Sequence, residues 1–231
     1  MSSLRAPASV HGRVLRLGVV GAIASLAVAG CAGTTNSPAP SSSLRTVPVP
    51  VSADVTVPTG APDRTPPGTT LTWGQSAYLP ADAFRATGQL AMFTVTGVEP
   101  GSRSELPSSL TKGGDPFYVH LTISQLADKA VPAPSTEGFS ASSDGRTPTR
   151  TVAPPDNFSR CVANPTPKTA KRGDSIATCV VAVVDPGTVP DKVIYWADTT
   201  GDSSLNYKAS PVVWSSPAPA PASSPVATPT G

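Results

Sequence analysis

The sequence predicts an all-β protein: an antiparallel immunoglobulin-like β-sandwich between a disordered Pro-rich N-terminal tether and a C-terminal tail. Two observations support this class. Short segments between residues 70 and 214 alternate apolar and polar side chains with the two-residue period of a strand, and few have helical spacing. Turn-forming residues separate these segments at short intervals, as in sandwiches of about seven strands. The roughly 145 residues of this region are enough for one hydrophobic core.

Individual strands follow from the same alternation. The clearest is 118–126, where Val119, Leu121 and Ile123 face one way and the polar residues between them face the other. Ser175–Val184 is apolar on both faces and rich in β-branched residues, which is typical of a central strand. The other predicted strands are 71–79, which Gly74 weakens, and then 91–98, 138–141, 193–197 and 207–214.

Composition sets the boundaries of the predicted sandwich. Pro, Ser, Thr and Ala are concentrated in residues 31–69, and such a segment buries too little apolar surface to offset its ordering entropy. Residues 215–231 repeat this composition and are predicted to be a disordered tail. We therefore expect a leader at 1–30, a tether at 31–69, a sandwich at 70–214 and a tail at 215–231.

The first thirty residues have the pattern of an export signal. Three arginines form a basic start without acids, and residues 17–29 are an apolar run, shorter than the roughly 20 residues that a membrane-spanning helix needs. Val28-Ala29-Gly30-Cys31 closes the run and resembles the lipobox of bacterial lipoproteins, in which the cysteine is acylated and becomes the first residue of the mature chain. An ordinary cleaved secretory signal, with Cys31 near the cut by chance, is the alternative.

The lipobox resemblance implies a location and a partner. It implies lipidation at Cys31 and a lipid-anchored position on the extracytoplasmic face of the cell membrane. Each buried CH₂ group contributes about 0.8 kcal/mol, and two or more acyl chains are needed for stable anchoring, which a diacylated cysteine provides. The tether is then expected to hold the sandwich away from the membrane.

The charge of the chain excludes one class of function. The formal net charge is +2, but three of the 17 Lys and Arg residues lie in the leader. The mature chain therefore has 14 basic residues against 15 acidic ones, a net charge of −1. A nucleic-acid-binding domain is normally strongly basic, so no nucleic-acid partner is expected.

The chain has three cysteines, and two remain once Cys31 is acylated. Cys161 precedes a predicted turn and Cys179 lies in the strand that follows it. Because an exported domain meets an oxidising environment, we predict a disulfide between them. A metal pair or a reactive thiol is the alternative, but supporting His or Cys residues are lacking.

A basic segment gives a weak indication of ligand binding. Between residues 146 and 172 one acid, Asp156, accompanies six basic residues: Arg146, Arg150, Arg160, Lys168, Lys171 and Arg172. Such a surface attracts an anionic wall polymer or a lipid head group. The alternative is a solvated loop whose charges never converge.

The residues that suggest catalysis or metal binding have simpler explanations. His120 is the only histidine outside the leader, and it is expected at the surface or in a cross-strand hydrogen bond rather than in a catalytic triad. Glu99 and Glu105 are next to prolines and are expected to be loop acids rather than a glycosidase pair. Residues 198–203 lack the carboxylates of a calcium loop. We therefore expect no catalytic residue, metal or cofactor.

A second resemblance rests on the order of five segments. These are the valine-threonine run at 93–98, the strand at 118–123, Phe139 with Asp144-Gly145, the Gly-Asp lead and apolar strand at 173–181, and the aromatic strand at 194–196. Their order is similar to that of secreted and lipid-anchored actinobacterial-type proteins that have a telokin-like, immunoglobulin-type domain of unknown function. The resemblance implies the fold and no reaction, because that group has no agreed catalytic residues.

Together these observations favour a lipid-anchored, non-catalytic binding or recognition module. Its expected partner is another envelope protein, an anionic wall component or a small ligand. The alternative is a structural or antigenic surface lipoprotein without a ligand, and a hydrolase is less favoured.

Overall fold

Two large β-sheets enclose one main hydrophobic core, and the described part of the chain has almost no helix. The computed structural model describes residues 55–83, 88–155, 158, 160, 167–197 and 205–217. Within these ranges the strands are β1 (Thr70–Thr72), β2 (Ser76–Pro80), β3 (Leu90–Pro100), β4 (Asp115–Gln125), β5 (Val131–Pro132), β6 (Phe139–Ser142), β7 (Arg150–Val152), β8 (Thr169–Ala170), β9 (Ser175–Val184), β10 (Lys192–Tyr195) and β11 (Val212–Ser215). A 3₁₀ turn at Arg103–Glu105 and one short helix, α1 (Ser108–Thr111), lie between β3 and β4.

The topology confirms the predicted all-β sandwich. One sheet has the strand order β1-β11-β10-β6 and the other has the order β2-β3-β4-β9-β7, while β5 and β8 form a separate two-stranded sheet. In the described part of the chain, the strands pair antiparallel except for β1 and β11, which are parallel. This parallel edge is a small departure from the antiparallel sandwich that the sequence predicts.

The main core lies between the two larger sheets and is rich in aromatic rings. The Phe139 ring centroid lies 4.9 Å from that of Phe93, 5.1 Å from that of Tyr195 and 5.8 Å from that of Trp214. Trp214 is fully buried, and its indole Nε1 donates a hydrogen bond to the Gln75 carbonyl at 2.9 Å. These contacts join strands from both sheets, so the aromatic residues hold the sandwich together.

Several predicted strands differ from the observed ones for local reasons. The segment 71–79 divides into β1 and β2 because Gly74 has a φ of +85°, which a strand residue with a Cβ adopts only with strain. The last strand begins at Val212 rather than at residue 207, since the preceding residues form a turn. The Pro-rich inserts at 131–136 and 147–155 contain β5 and β7, two strands that the sequence did not predict.

Strand β4 is buried on both faces, although its sequence alternates. Its apolar residues face the main core, and its polar residues His120, Thr122 and Ser124 are also at most 3% exposed. On this second face, a smaller apolar cluster of Leu106, Tyr118 and Val181 forms, with Val152, Phe158 and Cys179 packed against it. Loop residues therefore cover the outer face of the five-stranded sheet.

The sandwich includes residues that the sequence assigns to the tether. Arg172 Nη1 donates hydrogen bonds to the carbonyls of Pro58 at 3.0 Å and Gly60 at 3.1 Å. The Thr65 amide donates to the Tyr78 carbonyl at 2.9 Å. Residues 58–65 thus form a docked segment that is hydrogen-bonded to the sandwich. Residues 1–54 and 218–231 lie outside the described residues, so the leader, most of the tether and the end of the tail stay predictions.

Candidate functional site

A groove of about 590 Å³ lies at one end of the five-stranded sheet. Three segments distant in sequence form its walls: the turn between α1 and β4, the residues that lead into β7, and the turn after β9. Among the lining side chains, Lys112 and Arg150 are positively charged and Asp185 is negatively charged. Five more carry hydroxyl groups: Thr111, Ser143, Thr147, Thr149 and Thr188. The groove therefore combines an apolar floor with hydroxyl groups and one excess positive charge.

The two cations of the groove meet at the end of α1. Arg150 Nη2 donates a hydrogen bond to the Thr111 carbonyl at 2.9 Å, and Lys112 is the next residue along the chain. Both side chains belong to exposed residues, and within the described ranges neither forms an ion pair with a carboxylate. Their positive charge is therefore directed to solvent rather than neutralised inside the protein.

The turn that carries Lys112 has a constrained backbone. Lys112 has a φ of +49°, the left-handed conformation that non-glycine residues seldom adopt, and its amide donates to the Ser108 carbonyl at 2.8 Å. At Gly114 a Cβ atom would lie 2.5 Å from the Val184 carbonyl oxygen, so only glycine allows the turn to approach β9. The position of Lys112 is thus fixed by its neighbours on both sides.

A second turn builds the opposite wall of the groove, and Asp144 organises it. The Asp144 carboxylate accepts hydrogen bonds from the backbone amides of Arg146 and Thr147, each at 2.7 Å, and from the Thr147 hydroxyl at 2.8 Å. Bonds from the two amides and from the hydroxyls of Thr147 and Ser142 hold the pKa of Asp144 well below its usual range. The carboxylate is thus engaged within its own turn.

The six basic residues predicted as a ligand site are dispersed. Arg150 lines the groove at the start of β4, because it is in register with Val183, which pairs with that end of the strand. Arg172 lies at the other end of β4, where its amide donates to the Ala127 carbonyl. An 11-residue strand separates these positions, which is roughly 35 Å at the usual rise. Arg146, Lys168 and Lys171 are exposed or half-buried and do not line the groove. Lys112, which does line it, was missed because it lies outside the basic segment.

Arg160 is held by acidic residues on the outer face of the five-stranded sheet. Its Nη2 lies 2.6 Å from Glu99 Oε1 and its Nε lies 3.4 Å from Glu105 Oε1. The guanidinium also lies 5.6 Å from the centroid of the Tyr118 ring. Because two carboxylates already neutralise it, Arg160 adds little to the attraction of an external anion.

The surroundings of Glu105 shift its pKa in the opposite direction from that of a glycosidase general acid. Burial raises the pKa of its carboxyl group, but hydrogen bonds from the Tyr118 hydroxyl and the Ser102 amide, together with the Arg160 charge, outweigh burial and lower it. A general acid needs a raised pKa. Glu99 and Glu105 therefore share one arginine. The prediction of two loop acids is wrong for Glu99, because it lies in strand β3.

His120 is a buried cross-strand residue, so the option of a surface position is wrong. It is 3% exposed, and its Nε2 lies 3.4 Å from Glu99 Oε2 on the neighbouring strand. Burial lowers the pKa of the imidazole and outweighs the opposite effect of Glu99. In the described part of the chain no serine hydroxyl bonds to the ring, so a Ser-His-Asp arrangement is not formed there.

A β-bulge explains why Glu99 lies beside His120. The pairing of β3 with β4 shifts by one residue between Val95 and Gly97. Before the shift the odd-numbered residues of β3 face the core, as Val95 does. After the shift an even-numbered residue, Val98, packs against the core. Since a one-residue shift exchanges the two faces of a strand, Glu99 points away from the core and toward His120.

The cysteine predictions lie mainly outside the described residues. Cys31 and Cys161 are both in undescribed segments. Cys179 lies on β9, where it is in register with His120. The Cys161–Cys179 pairing and the lipidation of Cys31 stay predictions.

The described ranges contain no group of three or more His, Cys, Asp or Glu side chains that is placed to bind a metal ion. The Asp-rich segment at 198–203, considered as a calcium loop, lies outside those ranges. None of the described helical segments has the length and apolar character that crossing a membrane requires.

Comparison with known proteins finds distant structural likeness only. No protein-family model matches the chain, and no curated protein matches it. Among solved structures, the secreted protein MPT63 from Mycobacterium tuberculosis is 16% identical, with a TM-score of 0.43 over 63% of this chain and 95% of that one. The yjhA protein from Bacillus subtilis is 14% identical, with a TM-score of 0.39 over 64% of this chain and 99% of that one. These likenesses do not indicate a function.

Proposed function

We propose that this protein is a lipid-anchored, extracytoplasmic binding module without catalytic activity, and that its groove contacts an envelope component. The observation that carries the proposal is the pair of cations in the groove, Lys112 and Arg150, which lack a carboxylate partner in the described part of the chain. A folded protein normally pairs or solvates its charges, and a groove that gathers two of one sign favours a ligand of the other sign.

The proposed anchor is supported by the sequence of the leader. A basic start, a short apolar run and Val28-Ala29-Gly30-Cys31 together match an acylation signal rather than a spanning helix. Export would also suit the predicted Cys161–Cys179 disulfide, because disulfides persist in oxidising compartments.

The proposed lack of catalysis is supported by how the candidate acids and bases are used. Glu99 and Glu105 are paired with Arg160, and Asp144 is saturated by its own turn. His120 is buried away from solvent and outside the groove. These four candidate groups are thus occupied or inaccessible, and the groove itself holds one acid, Asp185.

The anchor is tested by membrane fractionation of the full chain in a bacterial host. Cys31→Ala is expected to move the protein from the membrane fraction to the soluble fraction, whereas the matched variant Cys179→Ala leaves it in the membrane fraction. Unchanged membrane retention of Cys31→Ala would contradict the anchor.

A further inference from the structure

We infer that the groove binds a hydroxyl-rich polyanion, a polyol or glycan polymer that carries phosphate groups. This inference rests on the proposed function and specifies the ligand class of the same groove. It combines two independent observations: the chemistry of the lining side chains and the position of the groove relative to the incoming chain.

The lining chemistry matches both parts of such a polymer. Lys112 and Arg150 meet at the end of α1, where both charges can contact one anionic group, and arginine in particular presents several donors to phosphate oxygens. Hydroxyl side chains on the turn before β7, Thr147 and Thr149, line the same space. The Thr147 hydroxyl donates to Asp144 and the Thr149 hydroxyl pairs with Ser140, and each keeps acceptor capacity for a polyol hydroxyl. The single acid, Asp185, leaves a net positive charge for the anion.

The groove and the incoming chain lie at opposite ends of the long β4–β9 pair. Arg172 binds the carbonyls of Pro58 and Gly60, and its own amide donates to Ala127, just beyond the last residue of β4. The groove is bounded by Gly114, which precedes β4, and by the end of β9. The 11 residues of β4 separate these two places by roughly 35 Å.

The groove is therefore remote from Pro58 and Gly60, where the described chain joins this sheet. A bulky polymer can occupy the groove without displacing that segment.

The experiment measures affinity for poly(glycerol phosphate) by calorimetry, using the full acylated chain in micelles of a neutral detergent. The double variant Lys112→Gln/Arg150→Gln is expected to bind at least tenfold more weakly, since hydrogen bonds between charged partners are among the stronger ones. Arg146→Gln is the matched control, because it removes the same charge from the neighbouring turn without lining the groove. An equal loss in Arg146→Gln would mean non-specific attraction and overturn the inference.

Additional arms separate the sources of the ligand and guard against misfolding. Polygalacturonate replaces phosphate by carboxylate and is expected to bind more weakly, and phosphatidylglycerol added to the micelles is expected not to compete. Strong competition by the lipid would assign the phosphate contact to a lipid head group and overturn the polymer as the ligand. Lys112→Gln alone removes no ion pair of the described residues and is expected to fold. If the double variant unfolds, the single variant takes its place, and its binding must also be weaker than that of the wild type. No binding by the wild-type protein would refute the ligand class, while the Cys31→Ala fractionation would still report on the anchor.

Discussion

The strongest stability prediction compares two buried tyrosines, one whose hydroxyl group has a hydrogen-bond partner and one whose hydroxyl group has none among the described residues. Tyr118 and Tyr195 are both fully buried. The Tyr118 hydroxyl donates a hydrogen bond to Glu105 Oε2 at 2.6 Å, whereas the Tyr195 hydroxyl has no hydrogen-bond partner among the described residues. Replacing each by phenylalanine keeps the ring in place and removes only this group, so the difference between the two variants isolates the hydrogen bond.

The expected magnitudes follow from the partner of each hydroxyl. A hydrogen bond to a charged group contributes about 1.5–3 kcal/mol, so Tyr118→Phe is expected to lower the free energy of unfolding by about 2 kcal/mol. A buried hydroxyl without a partner is itself unfavourable, so Tyr195→Phe is expected to leave that free energy unchanged within about 0.5 kcal/mol or to increase it slightly.

The effect of Tyr118→Phe also has a predicted pH dependence. The folded state lowers the pKa of Glu105 below the ordinary value of 4.5, partly through the Tyr118 hydroxyl. A lowered carboxyl pKa gives stability that is present above the unfolded value and is lost as the pH falls through the folded value. The difference between wild type and Tyr118→Phe is therefore constant at neutral pH and decreases below about pH 4.5.

The assay is urea unfolding followed by tryptophan fluorescence, at neutral pH and again in acid. Linear extrapolation gives the free energy of unfolding for each variant, and equal slopes show that the unfolded states are comparable. Equal losses in the two variants, or a Tyr118→Phe loss that persists unchanged in acid, would refute the assignment of the hydrogen bond to ionised Glu105.

Three further predictions concern the disulfide, the groove turn and the domain boundary. Non-reducing peptide mapping is expected to show Cys161 linked to Cys179, and free thiols at both would refute the pairing. A disulfide that closes the loop between these two residues contributes about 3 kcal/mol, so Cys179→Ala is expected to lower the thermal midpoint. Gly114→Ala is expected to cost at least 2 kcal/mol, since its Cβ meets the Val184 carbonyl, and calorimetry showing no change would contradict the close approach. Limited proteolysis is expected to leave a fragment that begins before residue 65, and a stable fragment that begins at 70 would contradict the docked segment.

The strands were predictable wherever one local signal decides the structure. Ser175–Val184 is observed with the predicted bounds because a continuous β-branched run favours a central strand and Asp185-Pro186-Gly187 ends it. The weak point at Gly74 was also visible in the sequence. Strand β7 was missed because it is short and begins within a Pro-rich insert, and its pairing with β9 depends on contacts distant in sequence.

The environment of His120 could not be predicted from alternation. A polar residue in an alternating strand is expected to face solvent, but here residues such as Phe158 and Arg160, from a later loop, cover that face. The bulge at Gly97 then places Glu99 next to His120 instead of in the core. Both effects arise from the pairing of distant segments, and composition does not reveal them.

The groove illustrates the same limit and explains why its two cations were not grouped in the sequence. Lys112 and Arg150 are 38 positions apart, and only the pairing of β7 with β9 and of β9 with β4 brings their segments together. The same pairing places the groove and the docked segment at opposite ends of β4. Removing the Arg172 contacts is therefore expected to loosen the docked segment without changing the affinity of the groove for poly(glycerol phosphate).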